Sequence, residues 1–187
     1  MTNWISPAGS GIVGIMEKER NNVAYIDGAN LHKGVETFGW EFDYKKFRVW
    51  LREKYGVRQA YLFLGYVPKY KNLYTSLQEY GFTLVFKDVT YDGEGNIKGN
   101  CDADIVVRAM RDAFENTFEQ AILVSSDGDY ASLAMYLLEK QKLHVILSPA
   151  AAKKCSILLK RTGAKIAYLE DKRTILTGIP RKRKSPQ

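Results

Sequence analysis

Four consecutive apolar residues, Ala121–Val124, run without alternation and end in Ser125-Ser126-Asp127-Gly128-Asp129. A short branched run closed by a turn signal reads as a strand buried on both faces. Apolar positions then recur at Leu133, Ala134, Leu137 and Leu138, which is helical spacing. The same pattern recurs along the chain. Residues 23–26 form an apolar run ending in Asp27-Gly28-Ala29-Asn30, and residues 31–40 read as an irregular or short helical connector. Asp43 stands as an N-cap for a helix with Phe47, Trp50 and Leu51 inward, which Gly56 stops. Residues 60–67 read as a strand. Pro68 opens a helix with Leu73, Leu77 and Tyr80, closed by Gly81. Residues 82–86 form the next strand, which could extend to Tyr91, and residues 92–100 read as a loop.

A helix follows with Val106, Ala109, Met110, Ala113 and Phe114 as its apolar face. After the 121–124 strand and its helix come a strand at 144–147, a helix at 150–161 and a strand at 165–169. Sustained β-α-β alternation predicts an α/β fold with a mainly parallel sheet and helices on both faces. Residues 1–22 read as a flexible lead, residues 23–171 as one domain and residues 172–187 as an extension with a basic tail.

Composition adds little to this architecture: 187 residues, 45% hydrophobic, suit one domain. Two cysteines, Cys101 and Cys155, supply neither a disulfide framework nor a cysteine zinc site. The expectation is a reduced, cytoplasmic chain. No apolar run is long enough to span a bilayer, and no basic residue precedes the weak patch at 12–16 that a signal peptide would need. The net charge is +7, and Arg181–Lys184 carry four of the positive charges, so the tail points to a polyanion more strongly than the domain does.

Charge placement within the domain says more. Asp27, Asp102, Asp127 and Asp129 all stand at strand or helix ends of one sheet. Carboxylates that converge repel one another unless a cation neutralises them, and hard ions such as Mg²⁺ or Mn²⁺ take oxygen ligands. Such ions support phosphodiester hydrolysis by water without a protein nucleophile, which fits a chain with only His32 and His144. Helical spacing separates Asp102 from Asp104. From Asp102 the positions three, four and eight onward are Ile105, Val106 and Met110; from Asp104 they include Arg108, Arg111 and Asp112. Asp102 is therefore expected to face the strand ends, and Asp104 to sit on a solvated face paired with Arg108.

The segments Tyr25-Ile26-Asp27-Gly28-Ala29-Asn30, Lys98-Gly99-Asn100-Cys101-Asp102 and Leu123-Val124-Ser125-Ser126-Asp127-Gly128-Asp129-Tyr130 resemble, in order, the three blocks of the NYN family. This is the LabA-like branch of the PIN-like nucleases. The resemblance implies a Rossmann-like, three-layer PIN-type fold and metal-dependent RNA cleavage. It places metal ligands at Asp27, Asp102 and Asp127, a catalytic role at these and Asp129, and a polar helper at Asn30. The chain departs from the family at Ser126, where relatives often have Gly, and at Arg108, where many have an acid.

Substrate contacts are expected from Asn30, from Lys98 in the Gly-rich loop, from Lys69 and Tyr70 in a Tyr/Lys alternation, and from Ser125 at the strand end. Lys153, Lys154, Lys160 and Arg161 form a second basic group. The expected partner is single-stranded RNA, with no membrane; a homo-oligomer stays open. The competing reading is a non-catalytic RNA-binding or regulatory module on the same fold. A dehalogenase-type phosphatase is disfavoured by Ala29, which stands where the second acid of Asp-x-Asp belongs. The acidic pair of a receiver domain is absent from Glu19–Asn22.

Overall fold

A computed structural model describes residues 20–87, 90–91, 97–98 and 101–178, with side chains at all but 90–91 and 97–98. The first half runs β1 (Asn22–Asp27), α1 (Gly28–Glu36), α2 (Tyr44–Tyr55), β2 (Val57–Gly65), α3 (Lys71–Glu79) and β3 (Thr83–Lys87). Two short strands follow, β4 (Thr90–Tyr91) and β5 (Ile97–Lys98). The second half runs α4 (Asp102–Phe114), β6 (Ala121–Val124), α5 (Ala131–Glu139), β7 (Leu143–Ser148), α6 (Ile157–Arg161), β8 (Ile166–Tyr168) and α7 (Arg173–Leu176).

Six strands form one sheet in the order β3-β2-β1-β6-β7-β8, every neighbouring pair parallel. Alternation along the central strands sends Ala24, Ile26, Ile122 and Val124 into one core with α1 and α2. Val23, Tyr25, Ala121 and Leu123 enter a second core with α4, α5 and α6. Both faces are covered, which is why these strands read as continuous apolar runs. The chain leaves β1 toward β2 on one side, and β6 returns to its other side. The crevice above β1 and β6 is thus a topological switch point, where open α/β sheets bind ligands.

Local chemistry sets the element ends. Asp43 caps α2 by accepting from the Lys46 N–H at 3.0 Å, and Gly56 ends it at φ +65°. Of the irregular or short helical connector expected at 31–40, residues 31–36 belong to the regular helix α1, held by buried Leu31 and Val35, and residues 37–40 form turns and bends. Pro68 opens a 3-10 turn that leads into α3, where Tyr74 and Leu77 face inward while Leu73 is exposed.

Three expectations are corrected. The helix expected at 150–161 begins only at Ile157, because the chain makes one turn closed on the Ala151 carbonyl before Ser156 caps a new start. Tyr91 does not prolong β3; it pairs antiparallel with Ile97 in a separate two-stranded sheet. The buried face of α4 is Ile105, Ala109, Asp112 and Ala113, while Met110 and Phe114 are exposed. The face is rotated because a polar group, Asp112, is drawn inward. The lead up to residue 19 and the basic tail lie outside the described residues. Residues 172–178 pack on the domain, with Leu176 fully buried and its carbonyl accepting from the Asp43 N–H at 2.9 Å. No helix among the described residues is long and apolar enough to cross a membrane.

Candidate metal centre

Asp27 ends β1 and caps α1, its carboxylate accepting from the Asn30 N–H at 2.9 Å. The junction lies so close to β2 that a Cβ on Gly28 would stand 2.5 Å from the Phe63 carbonyl oxygen and 2.3 Å from Leu64 Cδ2. Only glycine lets Asp27 sit there. The β6 end is built in the same way. Asp127 accepts from the Asp129 N–H at 3.1 Å, and the Asp127 N–H donates to Ser125 Oγ at 3.1 Å. A Cβ on Gly128 would lie 2.4 Å from Ser156 Oγ, so the acidic turn rests directly on the start of α6.

Asn30 ties the two junctions together. Its side-chain oxygen accepts from both the Ser126 N–H and the Ser126 hydroxyl, each at 2.9 Å. Asp102 arrives on the first turn of α4. Tyr130, fully buried, joins it to β1: its hydroxyl lies 3.1 Å from Asp27 Oδ2 and also donates to Asp102 Oδ1. One hydroxyl proton serves two carboxylates.

The result is a cleft of 280 Å³ lined by Asp27, Asn30, Lys33, Cys101, Asp102 and Asp127, with Phe63 and Gly65 of β2 on its wall. Oxygens of Asp102, Asp127 and Asp129 all lie within 4.8 Å of one another. Burial pushes the Asp27 carboxyl above its ordinary value; the Asn30 N–H and the Tyr130 hydroxyl oppose this, and the charges of Asp102 and Asp127 add to it. Burial, then the negative charge of Asp27 and the bond to Asp102, hold the Tyr130 phenol far above its usual range, so it stays a donor. Burial and the neighbouring acids push the Cys101 thiol up to about 11. Three carboxylates in reach of one point, beside an uncharged thiol, are an all-oxygen donor set that fits a hard divalent cation.

The structure brings Asp27, Asp102 and Asp127 to one cleft and sets Asp129 beside the last two. Ser125 is fully buried, and its hydroxyl shapes the turn under Asp127. Lys69 and Tyr70 are exposed on the 3-10 turn after β2, outside the cleft lining. Lys98 lies in β5 with its side chain outside the described residues. Lys160 donates to the Ala152 carbonyl at 2.6 Å. The expected Asp104–Arg108 pair does not form. Asp104 meets Lys87 at 2.9 Å, and Arg108 turns to Asp112 and to the Tyr61 ring, 4.1 Å from its centroid. Arg108 therefore does not line the cleft.

Three residues of the site, Lys33, Cys101 and Tyr130, are not marked as site residues by the sequence. Lys33 stands one helical turn after Asn30, a spacing that could have marked it. Tyr130 follows the acids within the same motif, but nothing in a sequence shows which way a phenol points.

These features define a Rossmann-type α/β domain with a metal-competent acidic cluster at its switch point, as in PIN-like nucleases. Residues 22–164 match the NYN domain, and the chain belongs to that family. Its fold is similar to the crystal structure of a protein of unknown function from Vibrio parahaemolyticus. That similarity has a TM-score of 0.67 at 21% identity, over 84% of this chain and 98% of the other. No curated protein matches the chain.

Proposed function

We propose that this protein is a metal-dependent ribonuclease that hydrolyses phosphodiester bonds in RNA. The observation that carries the reading is the convergence of Asp102, Asp127 and Asp129. These three would hold Mg²⁺ or Mn²⁺, with Asp27 on the wall of the same cleft. A bound divalent ion supplies charge neutralisation at the phosphate and a more acidic water. The chain supplies position. Asn30 and Ser125 fix the Asp127 turn, Tyr130 holds Asp27 and Asp102 in register, and Lys33 offers a cation at the rim to a phosphate oxygen. RNA is preferred to DNA on the strength of the family.

The second reading, an RNA-binding module without cleavage, rests on Arg108 standing where the family resemblance leads one to expect an acid, although Arg108 itself pairs with Asp112 outside the cleft. The experiment is single-turnover cleavage of single-stranded RNA, duplex RNA and DNA with Mn²⁺, Mg²⁺ or chelator. Single-stranded RNA should be cut with Mn²⁺ and spared in chelator, and Asp127→Asn should lose at least ~100-fold. RNA binding with no cut under any metal would favour the second reading.

A further inference from the structure

Past Gly65, the last β2 residue of the cleft wall, the chain runs into a group of rings that the cluster chemistry does not use. Tyr66, Tyr74 and Phe86 meet with centroids 4.9–6.0 Å apart, the Tyr66–Phe86 and Tyr74–Phe86 pairs edge to face. Tyr74 is the buried member. Its hydroxyl accepts from the Val67 N–H at 3.0 Å and fixes the chain that leaves β2. Tyr66 and Phe86 remain 44% and 43% exposed, and Tyr70 on the following turn 44%.

Register places this group beside the cleft. Gly65 pairs with Lys87, Leu64 with Phe86, and the Tyr66 N–H donates to the Lys87 carbonyl at 3.0 Å. The rings thus begin one residue past the cleft wall and extend one strand outward, about 5 Å. The same stretch is cationic. Lys69 lies 4.9 Å from the Tyr70 centroid, Lys71 is exposed, and neither pairs with an acid among the described residues. An apolar protein partner would leave those charges unmatched. A strand of unpaired bases matches both, since rings stack on bases and lysines meet phosphates.

Resting on the nuclease reading above, we propose that Tyr66 and Phe86, with Tyr70 at the margin, form a stacking platform for the unpaired bases of single-stranded RNA next to the scissile phosphate. A duplex keeps its bases stacked on each other and cannot use the platform, so the platform selects single strands.

The test is fluorescence anisotropy in chelator, where nothing is cut. It uses a single-stranded RNA, the same strand with abasic positions, and a duplex. The wild-type chain should bind the intact strand roughly 5- to 100-fold more tightly than the abasic one, as expected for loss of a stacked base. Tyr66→Leu and Phe86→Leu keep an apolar contact with Tyr74 but remove a ring. Each should weaken the intact strand by a similar factor and leave the abasic strand unchanged. Equal wild-type affinity for the two strands, a reading that needs no variant, overturns the platform, as do variants that bind within twofold of wild type. Ring-dependent binding without cleavage would sink the hydrolase alone; cleavage with ring-independent binding would sink the platform alone.

Discussion

Helix α4 carries Asp102 in its first turn and Asp112 near its other end, each reached by its own buried tyrosine hydroxyl, Tyr130 and Tyr25, yet the two are built oppositely. Asp112 accepts from Arg108 Nε through both carboxylate oxygens, at 2.7 and 3.0 Å, and lies 2.9 Å from the Tyr25 hydroxyl. Its charge is matched by the fold, and Tyr61 covers the guanidinium. Asp102 is instead gathered with Asp127 and Asp129, and shares the single proton of Tyr130 with Asp27. No ion pair reaches Asp127 or Asp129 among the described residues. Asp112 is matched by a cation of its own helix, whereas Asp102, Asp127 and Asp129 together could hold a divalent cation. The sequence shows aspartates at both places; the company each keeps separates structure from site.

The sharpest way to break this comparison is to neutralise each acid in turn. Asp102→Asn should lose at least ~100-fold in Mn²⁺-supported cleavage with little loss of stability. Asp112→Asn should keep cleavage by the folded protein within about threefold. It should also cost ~2–4 kcal/mol in urea unfolding, because it leaves Arg108 unmatched; the part-exposure of that guanidinium keeps the figure below the fully buried case. If both variants lost activity and stability together, the two ends would not be different in kind.

A smaller effect sharpens the gathered end. The Asp27 carboxyl is raised in the folded protein, mainly by burial, so the fold binds that proton more tightly than the unfolded chain does. Stability from this group is greatest below the ordinary carboxylate range and declines as pH rises through the raised value. In chelator, Asp27→Asn should therefore melt above wild type at neutral pH, and the gap should close on acidification. Thermal melts across pH 4–8 check this (~4 being the ordinary carboxylate value); a gap that widened toward acid would reverse the sign argued for Asp27.

The smallest effect belongs to Asp104, which is half-exposed and, among the described residues, pairs with the surface cation Lys87. Asp104→Asn should change neither cleavage rate nor melting temperature. A dead Asp104→Asn would relocate the metal centre.

Much of this arrangement was legible in advance. Buried parallel strands announce themselves as unbroken apolar runs, so β1 and β6 and their terminal acids could be placed from residues alone. Asp43 and Gly56 marked α2 because capping is local chemistry. What stayed hidden depends on long-range partners. Asp104 and Arg108 have the right spacing to pair, but Arg108 finds Asp112 and Tyr61 instead, and only the tertiary fold makes Tyr61 available. The same competition rotated the face of α4, since a stripe of Met110 and Phe114 looks more apolar than one containing Asp112. The shared proton of Tyr130 was invisible for the same reason.

The hydrogen bonds that assemble the cleft join residues far apart in the chain: Asn30 to Ser126 across 96 positions, and Asp27 to Tyr130 across 103. At roughly 5–20 residues per second, about 5–20 s of synthesis separate β1 from the partners that complete it. Throughout that interval β1 can pair with β2 on one side only, and its other edge stays open until β6 arrives. A nascent chain thus carries Asp27 from the start but has no cleft, so any activity that needs the cleft begins only after most of the domain has left the ribosome.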